Sequence, residues 1–206
     1  MEDWVATLPR GCRRTLKKAN AQNWTVSARP ILGKEPAPHS SLAHFRCVVE
    51  HEVRLIATDE NDTQGFLQAL STSVGRYVGT TRQAGIIYEY RNSNGTVIAF
   101  AHEVQKGRAI RGQWFYGSDE SAKSYVWFHS VQELVRRGIE DKDVDVADLG
   151  PSGSDAFSEL KSKYGFGSVV DWHTVADYTG PFRYNDGRKE DNDMMSQLMK
   201  MIGERL

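Results

Sequence analysis

Lys161 raises the first chemical question. It stands in "DLGPSGSDAFSELKSKYGFGSVVDW", residues 148–172, which reads as a strand end, a glycine-rich turn, a short helix closed by Gly165 and Phe166, and a new strand. On that helix Phe157, Lys161 and Tyr164 follow at steps of four and three and share one face. With Phe157 and Tyr164 turned inward, Lys161 reaches the edge of the buried stripe. A cation there can hold a phosphate or carboxylate, or stabilise the oxyanion of a tetrahedral intermediate. The alternative is a stem that packs on the sheet while its head stays in water. Asp148, at the strand end, can take a proton from an attacking ammonium or bind it as an anion; its other reading is an Asx-type turn residue for the backbone donors that follow. Ser152 and Ser154 read as helix caps, and no His/Asp pattern around them points to a serine triad.

Two further groups carry candidate chemistry. In "GQWFYGS" (112–118), strand alternation sends Trp114 and Tyr116 to one face and Phe115 to the other. The Trp114/Tyr116 face lines either an acyl or adenine pocket or an ordinary aromatic core. Near the start, Arg10, Arg13, Arg14, Lys17 and Lys18 lie along one side of a helix. That is a solvated basic face or a phosphate-tracking stripe for tRNA or another phosphorylated substrate, with Arg13, Arg14 and Lys17 as candidates. The six histidines show no metal-type spacing, so no metal site is expected. No phosphate-loop or dinucleotide fingerprint is present.

The elements that must carry these residues follow from periodicity. Val5, Leu8, Cys12, Leu16 and Ala19 predict a helix over 3–20, with a late start or a kink near Pro9. A strand "WTVSARPI" and a linker "GKEPAPHSS" follow. Leu42, Phe45, Val49, Val53 and Ile56 predict a helix over 41–57. The acids of "DENDT" suit the start of the next helix, 63–78, with Phe66, Leu67, Leu70, Val74 and Tyr77 in register. "AGIIYEYR", "TVIAFAHEV" and "AIRGQWFYG" predict three antiparallel strands, turned at Ser93-Asn94-Gly95 and Lys106-Gly107. A helix over 121–140 burying Trp127, Val131, Leu134 and Val135 comes next. The strand "VDVADL", the helix carrying Lys161 and the strand "SVVDWHTVADY" complete the order. From residue 84 onward this is β-β-β-α-β-α-β, an α+β layout with a mixed central sheet flanked by helices. The crossover helix makes the third and fourth of these strands parallel. One domain is expected over 1–183, with helices dominating residues 1–80 and a sheet-and-helix core over 84–183. A polar tail over 184–206 ends in a short amphipathic helix on Met195, Leu198, Ile202 and Leu206.

Composition narrows the classes. With 206 residues, 26% charged and a net charge of -1, there is no global basic field toward nucleic acid or anionic lipid. No apolar run of about 18 residues exists to cross a membrane. Cys12 and Cys47 read as free thiols in a reducing, cytoplasmic setting.

That element order, with "KYGF" closing the second helix, resembles the acyltransferase core of the GNAT superfamily. Within it, "RRTLKKA" and "KSKYG" look more like the Fem-type aminoacyl ligases of peptidoglycan synthesis and their relatives. The resemblance spans roughly 3–182. It implies a GNAT-like fold and transfer of an acyl or aminoacyl group onto an amine-bearing acceptor. Many members have a tyrosine general acid four residues before the helix-ending glycine, and this chain has Lys161 there. GNAT enzymes also carry a glycine-rich loop that holds the coenzyme A pyrophosphate at a helix N-terminus. The matching segment here, 116–123, has one glycine, and Asp119 and Glu120 repel a pyrophosphate. Ser118, Lys123 and Tyr164 remain candidate substrate contacts beside Trp114 and Tyr116. Fem-type relatives use an aminoacyl-tRNA donor and lack that loop, although they usually have two such domains. The resemblance therefore implies no tightly bound cofactor, with aminoacyl-tRNA or acyl-CoA as co-substrate and tRNA met through the basic N-terminal helix. The alternatives are an acetyl-CoA-dependent N-acetyltransferase and a non-catalytic module binding peptide, glycan or RNA. Transfer needs a V-shaped opening between the third and fourth strands of the core, bordered by Lys161 and Tyr116.

Overall fold

The computed structural model describes residues 1–31, 42–59, 61–81, 84–150, 152 and 154–167. Its elements are α1 (Glu2–Thr7), α2 (Arg10–Asn20), β1 (Thr25–Ile31), α3 (Leu42–Ile56), α4 (Thr63–Thr81), β2 (Gly85–Arg91) and β3 (Val97–Lys106). They continue with β4 (Ala109–Gly117), α5 (Asp119–Lys123), α6 (Val126–Glu140), β5 (Val146–Asp148) and α7 (Asp155–Lys163). The strands stand side by side in chain order. β1 to β4 run antiparallel and β5 joins β4 in parallel. This is the expected α+β layout, a mixed sheet flanked by helices. The expected strand over 168–178 and the tail over 184–206 lie outside the described residues.

Local chemistry explains the turns. The Asn92 side-chain oxygen accepts from the N–H groups of Asn94 and Thr96 at 3.1 and 3.0 Å, and Gly95 takes φ +76°, so the β2–β3 hairpin closes where the sequence predicts. Asp62 of "DENDT" accepts from Gly65 N at 2.8 Å and from Thr58 N at 3.0 Å, capping α4. A Cβ on Gly65 would collide with that carboxylate, so the cap requires glycine there.

The core lies on both faces of the sheet. On one face Cys47 and Val48 of α3 pack on Ile87, Val97, Phe100 and Tyr116. On the other, Val126 of α6 meets Tyr90, Ile98 and Ala99. On that second side α2, α6 and α7 share a cluster of Leu8, Cys12, Leu16, Val131 and Tyr164. His129, on α6, is a buried-side polar partner: its Nδ1 lies 3.2 Å from the Tyr90 hydroxyl.

Three expectations are corrected. The helix over 3–20 is two helices, because Pro9 cannot continue α1; it becomes the N-cap of α2. The helix over 121–140 is likewise α5 and α6, broken at Tyr125, whose φ is +64°. The third correction concerns which faces are buried. On α3 the buried positions are His44, Cys47, Val48 and Glu52, whereas Leu42 is 87% exposed. On α4 they include Gly65, Ala69 and Ser73, while Phe66, Leu67 and Val74 are exposed. Small residues on α4 let the two helices approach closely, and that contact outweighs the apolar count.

One buried ion pair tests the packing of α6 on the sheet. Glu103 is 8% exposed, and its carboxylate is held by two nitrogens of Arg137, with Nε at 2.9 Å. The Arg137 guanidinium also lies 4.0 Å over the Tyr88 ring. Burial pushes the Glu103 carboxyl up, and Arg137 opposes that shift. Arg137→Met leaves a buried carboxylate unpaired and should cost about 3–5 kcal/mol in urea denaturation. Adding Glu103→Leu should recover most of that loss.

Candidate active site

The site is built around an interrupted ladder. Among the described residues β4 pairs with β5 at three positions, Ala109 with Val146, Ile110 with Ala147 and Arg111 with Asp148. β4 then continues to Gly117 while the other chain turns away through Leu149 and Gly150, the latter at φ +66°. On its β3 side, β4 shifts register between Trp114, opposite His102, and Gly112, opposite Glu103, so Gln113 is an extra residue in the strand. A bulge of this kind bends a strand and takes some of its backbone out of the ladder. The described pairing therefore ends at Arg111 and Asp148, the vertex of the expected V.

The vertex is tied by charge. Arg111 Nε and Nη2 each lie 2.5 Å from Asp148 Oδ2. Oδ1 of the same carboxylate accepts from Gly150 N at 2.8 Å. Asp148 thus makes the Asx-type turn contact and an ion pair together. A Cβ on Gly112 would meet Leu134 and Leu149 side chains at 3.3 Å, so leucines fill the floor of the V.

Lys161 closes the second arm. It is 6% exposed, more buried than the edge of a stripe, and its Nζ donates to the carbonyls of Leu149 at 3.0 Å and Gly150 at 2.9 Å. The ammonium also sits 4.7 Å over the Phe157 ring. α7 delivers it there because Ser154 caps the helix by accepting from Phe157 N. Tyr164 is buried against Trp127 and Phe128, inside the packing between α6 and α7. Lys161 and Asp148 therefore meet at one corner, bound to the same short turn.

Trp114 and Tyr116 belong to the opposite face, as alternation requires. Their rings stack at 6.3 Å, and Tyr116 is buried with Phe100. Both lie on the stretch of β4 that β5 does not reach. Around them stand three residues that sequence reasoning missed: His51 and Glu52 of α3 and Arg76 of α4. The His51 ring meets Tyr116 edge-on at 5.3 Å. Burial, with Arg54 and Arg76 nearby, pulls its imidazole down to about 4. Burial likewise pushes the Tyr116 phenol up to about 12. No spacing rule could have found these three; the rotated face of α3 brings His51 and Glu52 to β4, and the packing of α4 on α3 adds Arg76.

The segment after β4 is filled by the protein's own groups. Ser118 is buried and caps α5 by accepting from Ser121 N at 3.3 Å. Asp119 N donates to Glu50 at 2.8 Å, and the Asp119 carboxylate pairs with Arg54. Lys123 is exposed. On α2 the five basic residues are exposed, as a polar helix face should be. Arg13 Nη1 donates to the carbonyls of Ala6 and Leu8 at 3.2 and 2.8 Å, closing the end of α1. Lys18 Nζ lies 3.5 Å from the Tyr125 hydroxyl, so the basic face runs up to the start of α6. Among the described residues no cluster could hold a metal ion, and no helix is long and apolar enough to cross a membrane.

Lys161 has a measurable signature. Burial pulls its ammonium from 10.5 down to about 8, with Asp148 opposing and Arg111 adding to that shift. Between those values the unfolded chain holds a proton that the folded chain has released, so this residue's contribution to stability rises with pH. Lys161→Met lacks that slope. The stability difference, wild type minus Lys161→Met, should grow in favour of wild type by about 2 kcal/mol between pH 7.5 and pH 10 in urea titrations.

No protein-family model matches the chain, and no curated protein matches it in sequence. Among solved structures, the chain is similar to a possible acetyltransferase from Clostridium difficile 630, with 10% identity and a TM-score of 0.41 over 77% of this chain and 99% of that one. Similarity to L-PGS from Bacillus licheniformis has 15% identity and a TM-score of 0.44, covering 79% of this chain and 55% of that one. Similarity to the aminoglycoside antibiotic 6'-N-acetyltransferase AAC(6')-Ih from Acinetobacter baumannii has 12% identity and a TM-score of 0.36, over 78% and 99%. None of these likenesses carries the functional reading, which rests on the site's own geometry.

Proposed function

We propose that the chain is an N-acyltransferase that moves an aminoacyl or acyl group onto a primary amine held at the opening between β4 and β5. The observation that carries this reading is the ladder that stops after three residue pairs, beside a bulge at Gln113. An acyl carbonyl entering there meets backbone N–H groups released from the ladder, the donors an oxyanion needs. The amine nitrogen bonds to the carbonyl carbon from the Trp114/Tyr116 face. The carbon's bond to the leaving sulfur or oxygen then breaks, and the amine's proton passes to the leaving group. Lys161 and Asp148 act in this scheme as positioning residues, because their hydrogen bonds hold the Leu149–Gly150 corner that keeps the V open.

The donor in this reading is an aminoacyl-tRNA. Glu50 and Ser118 already occupy N–H groups at the start of α5, where a coenzyme A pyrophosphate would bind, and two carboxylates crowd that turn. Arg14, Lys17 and Lys18 form a basic run that ends at Tyr125 and suits a nucleic-acid backbone. The second reading is an acyl-CoA donor, favoured by Lys18 and Lys123 beside the first turn of α6.

The test supplies aminoacyl-tRNA and acetyl-CoA in parallel to a mixture of primary amines and follows the product by mass spectrometry. Aminoacylated amine is the expected product. Acetylated amine alone would move the donor to the thioester. Neither product, with no thermal shift from either donor, overturns the reading. In filter binding, Arg14→Ala with Lys17→Ala should weaken tRNA affinity about tenfold and lower the log–log salt slope by about 1 to 2.

A further inference from the structure

Beneath β4, two buried polar groups have hydrogen-bonding capacity to spare. Glu52 is 4% exposed. Among the described residues its carboxylate has one ion-pair partner, Arg76 Nε at 3.6 Å, and accepts no hydrogen bond. The indole Nε1 of Trp114 is shut off from solvent and, among the described residues, donates to nothing. An N–H left in this condition costs free energy that a fitting ligand can return, and a carboxylate with one long ion pair keeps acceptor capacity for that ligand.

The two flank one guanidinium. Arg76 approaches Glu52 through Nε and lies 5.9 Å over the Trp114 ring, while Tyr116 also stacks on Trp114. The Tyr116 phenol lies close enough to both Glu52 and Arg76 to feel their charges. His51, neutral at pH 7, adds no positive charge. A single ligand satisfies both groups if it brings a cationic donor to Glu52 and, a short distance away, an acceptor oxygen to Trp114 Nε1–H and Arg76.

Resting on the acyl-transfer reading, we propose that the acceptor is the α-amino group of an amino acid or peptide N-terminus. Its ammonium lies on Glu52 and its first carbonyl oxygen on the Trp114 indole N–H and Arg76. A simple alkylamine fills only the first half of this site. An N-blocked peptide fills only the second.

Isothermal titration of the full chain tests this with three probes. These are a pool of dipeptides carrying each natural residue first, the same pool N-acetylated, and n-butylamine. Free-amine dipeptides should bind at least about tenfold tighter than acetylated ones, the worth of one charged hydrogen bond. Glu52→Gln should remove that preference without lowering the melting temperature, since it deletes a buried charge. Trp114→Phe should weaken the dipeptides several-fold and leave n-butylamine unchanged. Equal binding of free and acetylated pools, no binding of either, or an unchanged preference in Glu52→Gln overturns the assignment. Turnover of alkylamines that Glu52→Gln does not alter in KM would sink the α-amino site and leave acyl transfer standing. Dipeptide binding as described with no turnover from either donor would do the reverse.

Discussion

The candidate site depends on the point at which β5 leaves β4. A parallel ladder is held by evenly spaced hydrogen bonds and ends only where another interaction redirects one strand. Here Asp148 is that interaction. One oxygen of its carboxylate binds Arg111 on β4 and the other takes the N–H of Gly150, so the last paired residue also begins the turn. Gly150 can follow at positive φ. Lys161 then occupies the carbonyls that the turn leaves free. The end of the described pairing is therefore held from both sides, by a bulge in β4 and by a buried cation on the following turn.

The polar groups on the two sides of the sheet differ in how fully they are satisfied. At the Lys161 corner each charge has partners, and burial is offset by hydrogen bonds. Under Trp114 and Tyr116, the indole N–H is shut off from solvent and donates to nothing among the described residues, and the buried Glu52 has one long ion pair, to Arg76. A fold that needed only stability would fill such positions with apolar side chains. The contrast separates a corner whose charges are paired from a face where polar groups still have bonding capacity.

Much of the architecture is legible in the chain. The three antiparallel strands, the parallel partner after a crossover helix, the Asp62 cap and the Asn92–Gly95 hairpin all rest on local periodicity and turn chemistry, which a chain carries in its own order. Legibility is weakest on α3 and α4. Apolar residues such as Leu42, Phe66 and Val74 point to one face, while the fold buries Gly65, Ala69, Ser73, His44 and Glu52. Periodicity measures where hydrophobicity is concentrated. It does not register how closely two helices approach when small residues meet.

The sequence by itself determined which residue types follow one another and hence each element's kind: the lysine one turn before a helix-ending glycine, the aspartate at a strand end, the aromatic triplet with alternating faces. Those are short-range facts, set by steric and hydrogen-bonding limits within a few residues. Tertiary structure alone decided that Lys161 and Asp148 share a turn while Trp114 and Tyr116 look the other way, toward Glu52 and Arg76. That partition depends on where one strand stops pairing and which side of a helix is pressed against the sheet. Both follow from contacts between segments far apart in the chain.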